Sequence, residues 1–324
     1  VPASDVLVVA VGSTGGWRAA ARELVASLRR AGARVAVAHT GPLPRVRTFA
    51  LTDLVEARAA RRACQRAIAE HAPGAVIYCS MTAALLWPRP GAVWLDTLAA
   101  ENRPGRHGVW QRPVERRRLA RAPLIMAMSP RALESTTVSP RALALVPVPV
   151  TRSGPLPAIR DVAAVTYAGD PEKKRLEAVL DAWRAARRED ETLVVAGTEP
   201  RPDSPGVRFA GRLEPDSYRA LLRRTRAFIA APRREDYGIA PLEALADGCQ
   251  LVTTPAPGPY PALELARRLD PRLVGNDLVK AIRLALDEPL PRYAERAAAL
   301  LEPFSPEAVD RTVAHSVLPR LLCP

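Results

Sequence analysis

Short, nearly continuous apolar runs alternate with segments of helical periodicity along this chain, and the alternation occurs in two series. A run such as Val6–Val11 has no polar face, so it suits a strand covered on both sides, as strands of parallel sheets are. The first series has such runs at Val6–Val11, Arg34–Ala38, Ala75–Cys79, Ala92–Leu95, Leu124–Met128 and Leu143–Val148. The second has them at Ala164–Ala168, Thr192–Ala196, Val207–Ala210, Ala227–Ala231 and Gln250–Thr254. Helical patterns are expected at Trp17–Arg30, after a glycine-rich loop Gly12–Gly16, and at Glu172–Arg188, Pro215–Arg224 and Pro241–Ala246, with helices closing the chain from Asp277. Strands separated by helices predict parallel sheets, and two series predict two doubly wound, Rossmann-like α/β domains. Between them Val146–Ile159 reads VPVPVTRSGPLPAI, and four prolines and a glycine cannot continue a helix or a central strand. The expected organisation is a first domain over 1–150, a linker over 151–160, a second domain over 161–303 and a closing segment over 304–324.

A length of 324 residues suits two such domains. No apolar run approaches the roughly 20 residues of a membrane span, and Val6–Val11 is too short for the core of a signal peptide. Cys64, Cys79, Cys249 and Cys323 form no C-x-x-C pair, and His39, His71, His107 and His315 are scattered, so no metal site is expected. The cysteines read as reduced thiols of a cytoplasmic protein. The formal charge is +13, yet it is carried by arginine, with lysine only at 173, 174 and 280. In a chain rich in Ala and Pro, this resembles compositional bias. No basic strand carries aromatics for stacking bases, so nucleic acid is not an expected partner. The charge favours phosphates and anionic lipid surfaces.

The chemistry concentrates in Arg234–Gly248, which follows the apolar run Ala227–Ala231 and leads into a helix. Pro241 suits the first helical position, which makes Ala240, a poor capping residue, the N-cap. Uncapped N–H groups at a helix start, at the C-terminal edge of a parallel sheet, form an anion site for a phosphate or diphosphate. Gly238 lets a ligand approach the backbone. Glu235 and Glu243 bracket this site; being anionic, they are suited to hydroxyls rather than phosphate. Glu243, placed in the first turn, also suits the helix dipole.

The spacing Glu235-x7-Glu243, with Gly238, Pro241 and Gly248, resembles the E-x7-E motif of GT-B glycosyltransferases, above all retaining family 4. Further stretches share the resemblance: Thr166-Tyr167-Ala168-Gly169, Val195-Ala196-Gly197-Thr198, Val207–Leu213, the glycine-rich loop with Trp17, and the ending Phe304-Ser305-Pro306-Glu307. The resemblance implies a GT-B fold, two Rossmann-like domains facing a cleft, and a closing helix that returns to the first domain. It implies transfer of a sugar from a nucleoside diphosphate sugar to an acceptor, whether glycan, lipid or small molecule, with retention, without metal and without a cofactor. Glu235 would contact the transferred sugar and Glu243 the ribose. Lys174, Lys173 and the backbone at Gly238, Ile239 and Ala240 would hold the diphosphate. Gly169, Gly197, Arg212 and Leu213 would border the nucleotide, with Gly15 and Gly16 facing it from the first domain. Two positions depart from the pattern: Asp170 stands where the family commonly has Arg, and Val146-Pro147-Val148-Pro149 replaces the usual Pro-Asn-Gly signal.

In the first domain Asp96 ends a strand and Glu101–Gly108 is read as a polar loop, so Asp96 and His107 are candidate contacts to donor or acceptor beside Glu235 and Lys174. Arg112, Arg116, Arg117, Arg118 and Arg121 form a basic stretch suited to an anionic membrane, which would put the protein at the inner face of the membrane. Two other readings keep the fold: an epimerase acting on a nucleotide sugar, which the E-x7-E spacing disfavours, and a non-catalytic nucleotide-sugar-binding protein, to which Asp170 lends weight.

Overall fold

The structure, a computed structural model, describes residues 4–12, 15–41, 43, 46, 48–134, 136 and 138–322. The chain divides into two compact units, residues 1–149 with 304–324, and residues 150–303.

The first unit holds strands β1 Val6–Val11, β2 Val35–Thr40, β3 Ala75–Tyr78, β4 Ala92–Leu95, β5 Ile125–Ala127 and β6 Leu143–Leu145. They form one sheet in the order β2-β1-β3-β4-β5-β6, every pair parallel. Its helices are α1 Gly15–Arg30, α2 Phe49–His71, α3 Met81–Ala84, α4 Ala99–Asn102 and α5 Gln111–Arg121. All six residues of β1 are buried, as its unbroken apolar run requires. Leu7, Val9 and Val11 join one core with Ala57, Ala60, Cys64 and Ala67 of α2, whose small side chains let the helix lie close to the sheet.

The second unit holds β7 Val162–Tyr167, β8 Leu193–Ala196, β9 Val207–Gly211, β10 Thr225–Ala230 and β11 Gln250–Thr253, again all parallel, in the order β11-β10-β7-β8-β9. Read from β9, this is the 3-2-1-4-5 order of a dinucleotide-binding half, and its order reverses between β7 and β10. Helices α6 Leu176–Ala186, α7 Pro215–Arg223, α8 Ile239–Ala246, α9 Pro261–Leu269, α10 Leu278–Asp287 and α11 Tyr293–Leu300 flank it. The chain closes with α12 Pro306–Thr312, a π-helical turn Val313–Val317 and α13 Leu318–Leu322, within the first unit. Ser305 caps α12 by accepting from the Ala308 N–H at 3.1 Å, and Asp310 ties it to α1 through Ser27 (2.5 Å) and Arg30 (2.6 Å).

Several boundaries differ from the sequence reading. The helix expected from Trp17 starts at Gly15, so Gly15 and Gly16 are its first residues rather than loop; Ser13 and Thr14 lie outside the described residues, as does Cys323. The helix expected from Glu172 starts at Leu176, because Arg175 adopts a left-handed conformation (φ 51°) that interrupts the turn before it. The last strand of the first unit ends at Leu145: Val146 still donates to the Ala127 carbonyl (2.8 Å), but Pro147 has no N–H to continue the ladder. Glu101–Gly108 is not an open loop: it carries the end of α4 and a 3₁₀ turn, Gly105–Gly108.

Candidate functional site

Two loops leave the C-terminal ends of β7 and β10, at the reversal of strand order, and hydrogen bonds join them. The Arg233 N–H donates to the Lys173 carbonyl (2.9 Å), and Arg233 Nε to the Glu172 carbonyl (3.2 Å). Asp170 has a structural place here. Its carboxylate accepts from the Lys173 N–H (3.0 Å) and its carbonyl from the Lys174 N–H (2.9 Å), forming the turn that carries both lysines. Lys173 Nζ lies 3.4 Å from Asp236, which also accepts from Arg234 (2.7 Å). Lys174 forms an ion pair with Glu235. Glu235 is 5% exposed, and its N–H donates to the Pro257 carbonyl (3.0 Å). The sequence assigned these two side chains to different parts of a ligand; the fold makes them partners. A small cavity is lined by Thr166, Tyr167, Lys174, Glu235, Ala240 and Pro241 among others, so the pair sits beside the start of α8.

That helix begins at Ile239, not Pro241. Its N-cap is Gly238, left-handed at φ 81°, and no side chain caps it. Pro241 is thus the third helical residue, where its missing N–H still costs no hydrogen bond. Ile239 and Ala240 carry the N–H groups of the first turn, both half-buried. With the earlier start, Glu243 leaves the first turn, and the helix dipole no longer accounts for it.

Glu243 faces α7. Arg219 Nη1 stands 3.8 Å from Glu243 Oε1, while Arg219 Nε donates to the fully buried Asp247 (2.6 Å). Burial pushes the Glu243 carboxyl up to about 7; Arg219 opposes this and Asp247 adds to it. Tyr218 and Tyr167 pack edge to face nearby, ring centroids 5.6 Å apart, and the Tyr218 hydroxyl has no hydrogen-bond partner among the described residues. The Tyr167 ring also explains two glycines. A Cβ on Gly169 would lie 2.9 Å from the Tyr167 ring and hydroxyl, and one on Gly197, at φ +88°, 2.5 Å from the ring. Arg212 and Leu213 follow the edge strand β9. Arg212 is exposed and paired with Glu199 at 2.8 Å; Leu213 is half-buried.

Gly169, Lys173, Lys174, Glu235, Gly238, Ile239 and Ala240 therefore gather at the ends of β7 and β10. Glu243 lies one turn along α8, Gly197 beneath Tyr167, and Arg212 and Leu213 on the far edge of the sheet. In the first unit Asp96 directly follows β4 and is half-buried; His107 is exposed and packs edge-on against Phe49, centroids 6.2 Å apart. Sequence reasoning missed Tyr218, Arg219 and Asp247, which in sequence are ordinary members of amphipathic helices and turns. It also missed Glu115, which accepts from the Ala99 N–H (2.9 Å) and is pushed up to about 7 by burial.

Residues 162–287, from the start of β7 to the end of α10, match the family model described as Glycosyl transferases group 1. Among solved structures the chain is similar to HepE from Anabaena in complex with UDP and glucose (TM-score 0.71, 14% identity, 97% of this chain and 99% of that one). It is similar to WaaG, a glycosyltransferase involved in lipopolysaccharide biosynthesis (TM-score 0.70, 14% identity, 96% and 99%). It is also similar to the sucrose-phosphate synthase of Thermosynechococcus elongatus (TM-score 0.67, 16% identity, 95% and 96%). At these identities the likeness is one of fold: two parallel-sheet α/β domains of the GT-B glycosyltransferase type. No curated protein sequence matches.

Proposed function

We propose that the chain is a glycosyltransferase that moves a sugar from a nucleoside diphosphate sugar to an acceptor, with retention and without a metal ion. What carries the reading is the Lys174–Glu235 pair beside the uncapped start of α8, at the strand-order reversal of the unit that matches the group 1 model. A lysine and helix N–H groups meet a diphosphate; a carboxylate beside them meets sugar hydroxyls.

In the free protein Lys174 and Glu235 satisfy each other. Donor binding exchanges partners: the diphosphate draws Lys174, and hydroxyls of the transferred sugar donate to Glu235. As the bond from the anomeric carbon to the diphosphate oxygen breaks, charge grows on that oxygen. Lys174 and the Ile239 and Ala240 N–H groups stabilise it more strongly in the transition state than before it. The acceptor oxygen bonds to the anomeric carbon from the face the diphosphate leaves, and its proton passes to the departing phosphate oxygen. Glu243, accepting from ribose hydroxyls, contributes equally before and during the reaction and so sets affinity rather than turnover.

Calorimetry and donor-hydrolysis assays with uridine, guanosine, adenosine and thymidine diphosphates and their sugars test the reading. One nucleoside diphosphate should bind, and its sugar should turn over in excess EDTA. Glu243→Gln should weaken nucleotide binding by about 1.5–3 kcal/mol, the value of a hydrogen bond to a charged group. Glu235→Gln should lower kcat while leaving nucleoside diphosphate affinity unchanged or tighter, because Lys174 is released from its pair. Absence of binding by all four diphosphates would reject the donor site. Loss of turnover on chelation, restored by magnesium or manganese, would reject metal independence.

A further inference from the structure

Arg219 is one of the more constrained cations of the second unit. Its side chain is 16% exposed, and each guanidinium nitrogen has its own direction: Nε to Asp247 (2.6 Å), Nη2 to the Thr151 carbonyl (2.7 Å), and Nη1 toward Glu243 (3.8 Å). The two anchors are themselves fixed. Asp247 is fully buried and accepts from the Ser153 N–H (2.8 Å) and hydroxyl (2.9 Å), and Thr151 and Ser153 belong to the proline-rich segment that opens this unit. Two short hydrogen bonds thus fix the guanidinium, and its third nitrogen is held close to Glu243.

We infer that Arg219 is the positioning residue of the donor site: anchored by Asp247 and the Thr151 carbonyl, it keeps Glu243 an aimed carboxylate that accepts hydroxyl hydrogen bonds from the nucleotide. This rests on the assignment of Glu243 to the donor. The groups facing Glu243 are Arg219 and Tyr218 from α7, Tyr167 from the end of β7 and Asp247 from the C-cap of its own helix. Arg219 is the sole cation among these four, and Asp247 works against it. Burial favours the protonated acid, which is a poorer acceptor, so removing Arg219 should disable Glu243 at neutral pH without touching the ligand. Restoring the carboxylate with alkali should then restore binding.

The test is nucleoside diphosphate affinity against pH, by calorimetry, in the wild type, Arg219→Met, Arg219→Lys and Glu243→Gln. Ionisation of the ligand is common to all four and cancels. In the wild type, affinity should fall as pH drops below about 7. Arg219→Met should move that midpoint up by at least about one pH unit, a loss of about fivefold at pH 7 that approaches tenfold below it and is recovered at higher pH. Arg219→Lys, which keeps the charge but cannot reach all three partners, should lie between the two. Glu243→Gln should abolish the midpoint, and Arg219→Met should not reintroduce one in that background. If Arg219→Met does not fold, as judged by circular dichroism, the lysine variant and the glutamine background decide the matter. Parallel profiles for the arginine variants and the wild type, or an affinity loss independent of pH, would overturn the inference alone. Absence of nucleotide binding by the wild type at every pH would overturn the donor assignment with it.

Discussion

Lys174 and Glu235 stand where each protects the other from the cost of burial. A carboxylate that is 5% exposed needs a partner, and truncating Lys174 leaves it unpaired. Lys174→Met should therefore lower the stability of the free protein by about 1–3 kcal/mol, measured by denaturant titration. Lys174→Met/Glu235→Leu should regain most of that loss, since an apolar pair needs no compensation, but neither variant should bind nucleoside diphosphate. If the double variant were no more stable than the single, the ion pair would not be the reason for the loss. A second consequence concerns pH. Glu243 and Glu115 are both pushed up to about 7 by burial, whereas an unfolded glutamate titrates at about 4.3. A carboxyl whose folded pKa is raised holds its proton more tightly in the native state. Its contribution is therefore full below about pH 4.3 and lost as pH rises through 7. Thermal melts should show a lower Tm at pH 8 than at pH 6, and Glu115→Gln should flatten the slope. Glu235 and Glu243 were singled out because they share one local motif and Lys174 through the family resemblance, and the fold sets Lys174 and Glu235 side by side at the start of α8. Arg219 and Asp247 were not legible. Arg219 meets Asp247, Glu243 and the Thr151 carbonyl, and Asp247 meets Ser153, all across segments far apart in sequence, so no local spacing records them.

The first turn of α8 depends on one backbone conformation. Gly238 sits at φ 81°, and a Cβ there would lie 3.0 Å from Glu235 Cγ and 3.1 Å from the Tyr260 ring. Gly238→Ala should cost about 1–2 kcal/mol from the left-handed backbone alone. It should also displace the Ile239 and Ala240 N–H groups that follow it, so nucleoside diphosphate affinity should fall together with Tm. An unchanged Tm would mean that the turn relaxes without cost. The elements themselves were largely legible, because continuous apolar runs such as Val6–Val11 and Ala92–Leu95 are buried on both faces and coincide with strands. Helix starts were less so. Periodicity locates a helix body, but its first residue is set by where the chain leaves the loop. Asp170 folds the two lysines into a turn ahead of α6, and Gly238 turns the chain into α8 two residues before Pro241.

The excess of 13 positive charges belongs to the chain as a whole, and how it is spread decides what it does. No helix among the described residues is long and apolar enough to cross a membrane. The basic stretch read from the sequence forms α5, and the fold separates its arginines. Arg116 and Arg117 are exposed. Arg118 is turned inward: its Nε donates to the Leu85 carbonyl (2.9 Å), and its guanidinium lies 5.1 Å from the Trp87 ring centroid. Contact with an anionic lipid surface through α5 therefore rests on Arg116, Arg117 and Arg121, which is exposed as well, and not on Arg118. A basic residue near such a surface contributes about 1 kcal/mol, so Arg116→Glu/Arg117→Glu should weaken vesicle binding by at least about tenfold. The expected binding is to vesicles containing phosphatidylglycerol and not to neutral phosphatidylcholine. It should fade between about 0.1 and 1 M salt, as the Debye length falls from about 10 to 3 Å. Arg118→Glu should behave differently, lowering Tm because it removes a hydrogen bond and a ring contact and places a carboxylate against Trp87. Co-sedimentation indifferent to lipid charge and to salt would sink the proposal, because attraction between exposed charges must be screened. Equal loss of vesicle binding in both variants, with Tm unchanged in each, would show that the inward placement of Arg118 does not govern its role.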